Sequence, residues 1–105
     1  MVESVTKLYE DLDGRAFRIK FERTRDAVLL DVRTPGEFNS GSLYGAINID
    51  VMSRTFRSEI SKLDKNKEYF LFCRSGSRSG QACTLMAQEG FKSHNLAYGI
   101  GDWPR

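Results

Sequence analysis

The chain has 105 residues, 40% hydrophobic and 29% charged, with a formal net charge of +2. That is enough apolar content for one folded domain and too much for a disordered chain, and the mild, interspersed charge gives no footing for nucleic acid as the main partner. No apolar run approaches the roughly 18 residues of a membrane span, which argues against a membrane partner, and two cysteines make no disulfide framework.

Residues 1–105 read as a single domain, without repeats, low-complexity segments or a linker. Met1-Val2-Glu3-Ser4-Val5 has neither the basic flank nor the apolar stretch of a signal peptide. A cytoplasmic setting with reduced thiols is the expectation. Val5–Leu8 reads as a short opening strand. Asp11 or Asp13 is placed to cap a helix over Gly14–Arg23, with Phe17 and Phe21 on one face and Arg15, Arg18, Glu22 and Arg23 outward. Ala27–Val32 is nearly all apolar, as in a parallel strand buried on both faces. Thr34-Pro35-Gly36-Glu37 then carries an N-cap, a proline in the first turn and the glutamate of a capping box. Ala46–Ile49 reads as another short strand. Met52, Phe56, Ile60 and Leu63 form one apolar stripe, predicting a helix that starts at Asp50 or Ser53. Tyr69–Phe72 is the central strand, and a helix follows to about Glu89, with Gly90 as its stop. Phe91–Leu96 holds a last strand, with His94 in a polar run that reads as surface, and Trp103 is placed to anchor the tail.

Strands alternate with helices, so the expected class is α/β, a mainly parallel sheet with helices on both faces. Ligands in such sheets bind beyond the carboxyl ends of the strands. Cys73 and Arg33 both fall at such ends. Cys73-Arg74-Ser75-Gly76-Ser77-Arg78 links the central strand to a helix start, where free N–H groups and the helix dipole would stabilise a thiolate or an anion beside it. Cys83, among apolar helix residues, reads as core. One histidine and no Cys-x-x-Cys pair argue against zinc, so no metal is expected.

Three stretches resemble the rhodanese family of sulfurtransferases: Leu29 to Phe38 with its Asp31-Val32-Arg33, Gly41 to Ile49, and Cys73 to Ser79. A weaker likeness runs from Leu96 to Trp103. Ser42 stands where the family commonly has histidine, and Tyr98 where the closing turn often has glycine. The resemblance implies a rhodanese-like fold and a catalytic Cys73 that takes a sulfane sulfur as a persulfide. It would pass that sulfur to a thiol, to cyanide or to a thioredoxin-like or other sulfur-acceptor protein, without a cofactor. Arg74, Ser75, Gly76, Ser77, Arg78 and Ser79 would bind an anionic donor such as thiosulfate or a persulfide. Arg33 would be structural or help hold the anion. Two other readings stand beside this one. The first is a non-catalytic rhodanese-like module that binds a partner or senses sulfur or redox state. The second is a cysteine-dependent phosphatase or arsenate reductase. The phosphatase loop is one residue longer than the four-residue gap between Cys73 and Arg78. A tighter loop suits a sulfur atom better than a tetrahedral phosphate.

Overall fold

The computed structural model of the protein describes residues 8–105. Five strands form one parallel sheet: β1 (Glu10–Leu12), β2 (Ala27–Asp31), β3 (Ile47–Asn48), β4 (Glu68–Phe72) and β5 (Lys92–Leu96). Their order across the sheet is β1-β5-β4-β2-β3. Four α-helices connect them: α1 (Gly14–Arg23), α2 (Pro35–Ser40), α3 (Phe56–Ile60) and α4 (Ser77–Gln88). The expected α/β class and two-sided cover are present.

Strand alternation sends each apolar set to one face. Leu29, Phe70, Phe72 and Leu96 meet Phe17 of α1, with Phe21 and Trp103 packed beside them. Leu30, Leu71 and Tyr69 meet Phe56 and Ile60 of α3 and Ala82, Cys83 and Met86 of α4 on the other face. Trp103 lies edge-on to both Phe17 and Phe21, so it does anchor the tail. Cys83 is fully buried, as expected of a core residue.

Local signals explain the helix starts. The Asp13 carboxylate accepts the Ala16 N–H at 2.8 Å, so Asp13 is the α1 cap and Asp11 belongs to β1. At α2 the Thr34 hydroxyl accepts the Glu37 N–H while Glu37 Oε1 accepts the Thr34 N–H, a complete capping box.

Two expectations change, and a third lies largely outside the described residues. Residues 5–7 of the predicted opening strand lie outside the described residues, Leu8 sits in a bend, and the first strand seen is β1. The helix predicted to start at Asp50 or Ser53 shrinks to α3. Met52 is 67% exposed, because tight turns hydrogen-bonded by Asp50 and Ser53 occupy residues 50–55 before the helix begins. His94 is buried rather than on the surface, at 1% exposure. β5 lies inside the sheet between β1 and β4, so its polar residues must find partners there. The His94 ring stacks on Phe70, with Nε2 2.7 Å from Glu68 and Nδ1 2.7 Å from Glu10.

Candidate active site

β4 ends at Phe72, and Cys73 begins the loop into α4. Parallel strand order places this loop beside the ends of β2 and β5, its neighbours in the sheet. Cys73 Sγ accepts the Gly76 N–H at 3.0 Å and the Ser79 hydroxyl at 3.3 Å. Burial pushes the Cys73 thiol up, but the Ser79 hydroxyl and the N–H groups of Ser79, Ser75 and Gly76 more than offset it. The thiol therefore ionises more readily than an ordinary cysteine. The anion is held by donors that the strand-to-helix turn aims at one point.

The turn itself is possible because residue 76 is glycine. Gly76 has φ +96, and a Cβ there would lie 2.0 Å from the Ala97 carbonyl oxygen. Gly99 has the reciprocal constraint, since a Cβ on it would meet the Arg74 carbonyl at 1.9 Å. The Ile100 N–H closes the clasp on the Cys73 carbonyl at 2.9 Å. The residues after β5 thus form one wall of the cysteine loop.

Arg78, in the first turn of α4, makes a two-pronged pair with Glu37 of α2, at 2.7 and 2.9 Å. Its hydrogen bonds to Arg78 hold the Glu37 carboxyl at about 2, well below the usual carboxylate range, against burial and with help from Thr34. Arg33 folds back on Asp31 at 2.7 Å and also donates to the Gly41 carbonyl at 2.6 Å. Ser42 donates to the same Asp31 carboxylate at 2.8 Å. A serine here reaches Asp31 directly and completes the brace that joins β2 to the 41–45 loop. Arg74 is exposed and lines a groove of about 610 Å³ with Arg33, Glu37, Gly41 and Ile100. Ser75 and Ser77 are exposed and line a second groove, of about 660 Å³, on the other flank with Tyr98 and Asn95. Cys73 itself has no exposed surface.

Residues 16–105 match the family described as Rhodanese-like domain. This chain belongs to the rhodanese-like family. A protein named sulfurtransferase from Allochromatium vinosum is 31% identical over 99 residues, which are 93% of this chain and 91% of that one. The thiosulfate sulfurtransferase PspE of Escherichia coli is 32% identical over 73 residues, 70% of each chain. Among solved structures, a rhodanese-related protein from Thermoplasma volcanium superposes with a TM-score of 0.78 at 27% identity, covering 90% of both chains. An Escherichia coli rhodanese described with anions has a TM-score of 0.61 at 31% identity, covering 72% of this chain and 89% of that one.

In this rhodanese-like chain the residues from the three sequence stretches come together, though not all as anticipated. Ser79 reaches the sulfur with its hydroxyl, whereas Ser75 and Gly76 act through backbone N–H groups. Arg78, expected to bind an anionic donor, donates from both its terminal nitrogens to Glu37. Among the described residues no cluster of His, Cys, Asp and Glu is arranged to hold a metal ion. Also among them, no helix is long and apolar enough to cross a membrane.

Proposed function

We propose that the protein is a sulfurtransferase working through a persulfide on Cys73. The observation that carries the reading is the sulfur atom itself, buried at the end of β4 and hydrogen-bonded by Gly76 N–H and the Ser79 hydroxyl. With thiosulfate as donor, the Cys73 thiolate attacks the outer sulfur and a new S–S bond forms. The bond from that sulfur to the sulfonate breaks, and sulfite leaves with the electron pair. The resulting persulfide carries one negative charge, which the loop N–H groups stabilise. A thiolate or cyanide then attacks the terminal sulfur, and the Cys73 thiolate is released with its electron pair. No external oxidant or reductant is consumed. Low-molecular-weight persulfides and a sulfur-carrying partner protein fit the same two steps.

Of the two arginines in the cysteine loop and the first turn of α4, Arg78 is paired with Glu37, whereas Arg74 has no ion-pair partner among the described residues and lines the groove with Gly41 and Ile100. It is the residue proposed to draw in an anionic donor. The relatives named for sulfur transfer support the reading, as does the solved rhodanese with anions.

Intact-protein mass after incubation with thiosulfate, polysulfide or glutathione persulfide tests the proposal. One added sulfur atom is expected on the wild type and none on Cys73→Ser. The buried state of Cys73 favours a second reading, a rhodanese-like binding or sensing module. An unmodified wild-type mass with all three donors would select that reading and reject sulfur transfer.

A further inference from the structure

Asn95 stands outside every role assigned above. It lies near the end of β5, opposite Asp11 of β1 and Leu71 of β4, and is only 3% exposed. Its Nδ2 donates to the Gly76 carbonyl at 3.1 Å and to Asp11 Oδ1 at 2.9 Å. Both partners are acceptors, so the orientation of the amide is fixed: the NH2 group faces the loop. Oδ1 points elsewhere and is buried without a hydrogen-bond partner among the described residues. A buried acceptor left unpaired is costly. A leucine of similar size would serve the core alone without that cost.

The surroundings are shaped for this side chain. Gly80 has its Cα beside Asn95, and a Cβ there would come within 3.4 Å of Nδ2. Gly76 is the residue preceding α4, and no side chain caps that helix from its own loop. Its carbonyl is held from two sides, by the Gly80 N–H of α4 at 3.0 Å and by Asn95. Its N–H is the donor on Cys73 Sγ. Holding the Gly76 carbonyl from two sides anchors the peptide plane that follows the residue, and the N–H on the sulfur lies one Cα away, in the plane before it.

We infer that Asn95 is a positioning residue for Cys73, holding Gly76 so that its N–H stays on the sulfur through both the thiolate and persulfide states. The chain of contact runs Asp11, Asn95, Gly76, Cys73, from the edge strand to the reacting atom. The persulfide half of this inference rests on the sulfur-transfer reading; the thiolate half does not.

The test is the pH dependence of Cys73 alkylation by iodoacetamide, localised by mass, in wild type and Asn95→Leu. Leucine relieves the unpaired oxygen yet cannot hold Gly76. The midpoint is expected to rise in Asn95→Leu, with alkylation at pH 7 slowed by about tenfold, while the thermal melt shows a folded protein. An unchanged midpoint in folded Asn95→Leu overturns the inference, even if the melting temperature falls. Should Asn95→Leu not fold, Asn95→Ser, whose hydroxyl is too short to span to Gly76, is judged by the same two criteria. A raised midpoint in a protein whose wild type accepts sulfur from no donor would leave the positioning role standing and reject the sulfur-transfer reading instead.

Discussion

Replacing Glu37 by glutamine separates the two jobs this residue does. Glutamine keeps the length and still completes a capping box with Thr34, so α2 should start as before. What is lost is the charge that Arg78 grips with two hydrogen bonds. The folded carboxyl sits at about 2 against an ordinary 4.5. At face value that gap is worth roughly 3 kcal/mol, from about 1.4 kcal/mol per pH unit. The two side chains are 31% and 27% exposed, so solvent screening brings the contribution down to about 1 kcal/mol. In a domain of this size, Glu37→Gln should then melt about 4–8 °C lower at pH 7. The pH dependence has a definite sign. Folding depresses the acid's pKa, so its contribution is complete above 4.5 and fades as pH falls towards 2. The gap between wild type and variant should narrow across that window and be nearly closed at its lower end. Melting curves followed by circular dichroism between pH 2 and pH 7 measure it. Equal melting temperatures at pH 7, or a gap that stays constant down to pH 2, would refute the reasoning.

Three further expectations follow from the same geometry. Gly76→Ala forces a side chain into a left-handed turn and against the Ala97 carbonyl; urea denaturation should show a loss of at least about 2 kcal/mol, and a wild-type midpoint would contradict the clasp. Burial pushes the Cys83 thiol up to about 12, so iodoacetamide at pH 8 should modify Cys73 and spare Cys83 until denaturant is added; comparable native labelling of both would be the contrary result. His94→Leu takes one partner from each of Glu10 and Glu68, which keep Lys20 and Lys92, and should cost about 1 kcal/mol at pH 7. Lys20 and His94 lower the Glu10 carboxyl; burial pushes Glu68 up, but His94 and Lys92 pull it below its ordinary value. The penalty in His94→Leu should therefore shrink below pH 4.5 as the carboxyls protonate, and a denaturation series at pH 7 and pH 3 that shows equal penalties would count against it.

Features governed by neighbours a few residues away were legible in the sequence. The Asp13 cap, the Thr34–Glu37 box and the apolar β2 and β4 runs are of this kind. Cys73 at the mouth of a turn was also legible, because strand, thiol, glycine and helix start are consecutive. Features decided by strand order were not. His94 looked like surface because polar residues surround it, but two acidic side chains from β1 and β4 make that interior position polar. Arg78 looked like a free cation because Glu37 is 41 residues away. The Met52 stripe has the right period for a helix, yet the side-chain bonds of Asp50 and Ser53 to nearby N–H groups win locally and delay the helix to Phe56. Asn95 carried no signal beyond an amide in a strand. Only the β5–β1 register and the position of α4 give it a partner on each side.

The pairing of β1 with β5 also bears on how the chain is made. Glu10–Leu12 is made before the other four strands, but among the described residues its strand partner is His94–Leu96, in the last of them. Asp11 and Asn95 are 84 positions apart. During translation β1 must wait with its strand bonds unmade while β2, α2, β3, α3 and β4 assemble around one another. The same late arrival, β5, brings Asn95 beneath Gly76 and the Ala97–Ile100 wall against the cysteine loop. Until then Cys73 lacks the packing that keeps its ring of donors in place, so the tuning of the sulfur is completed only with the last strand of the sheet.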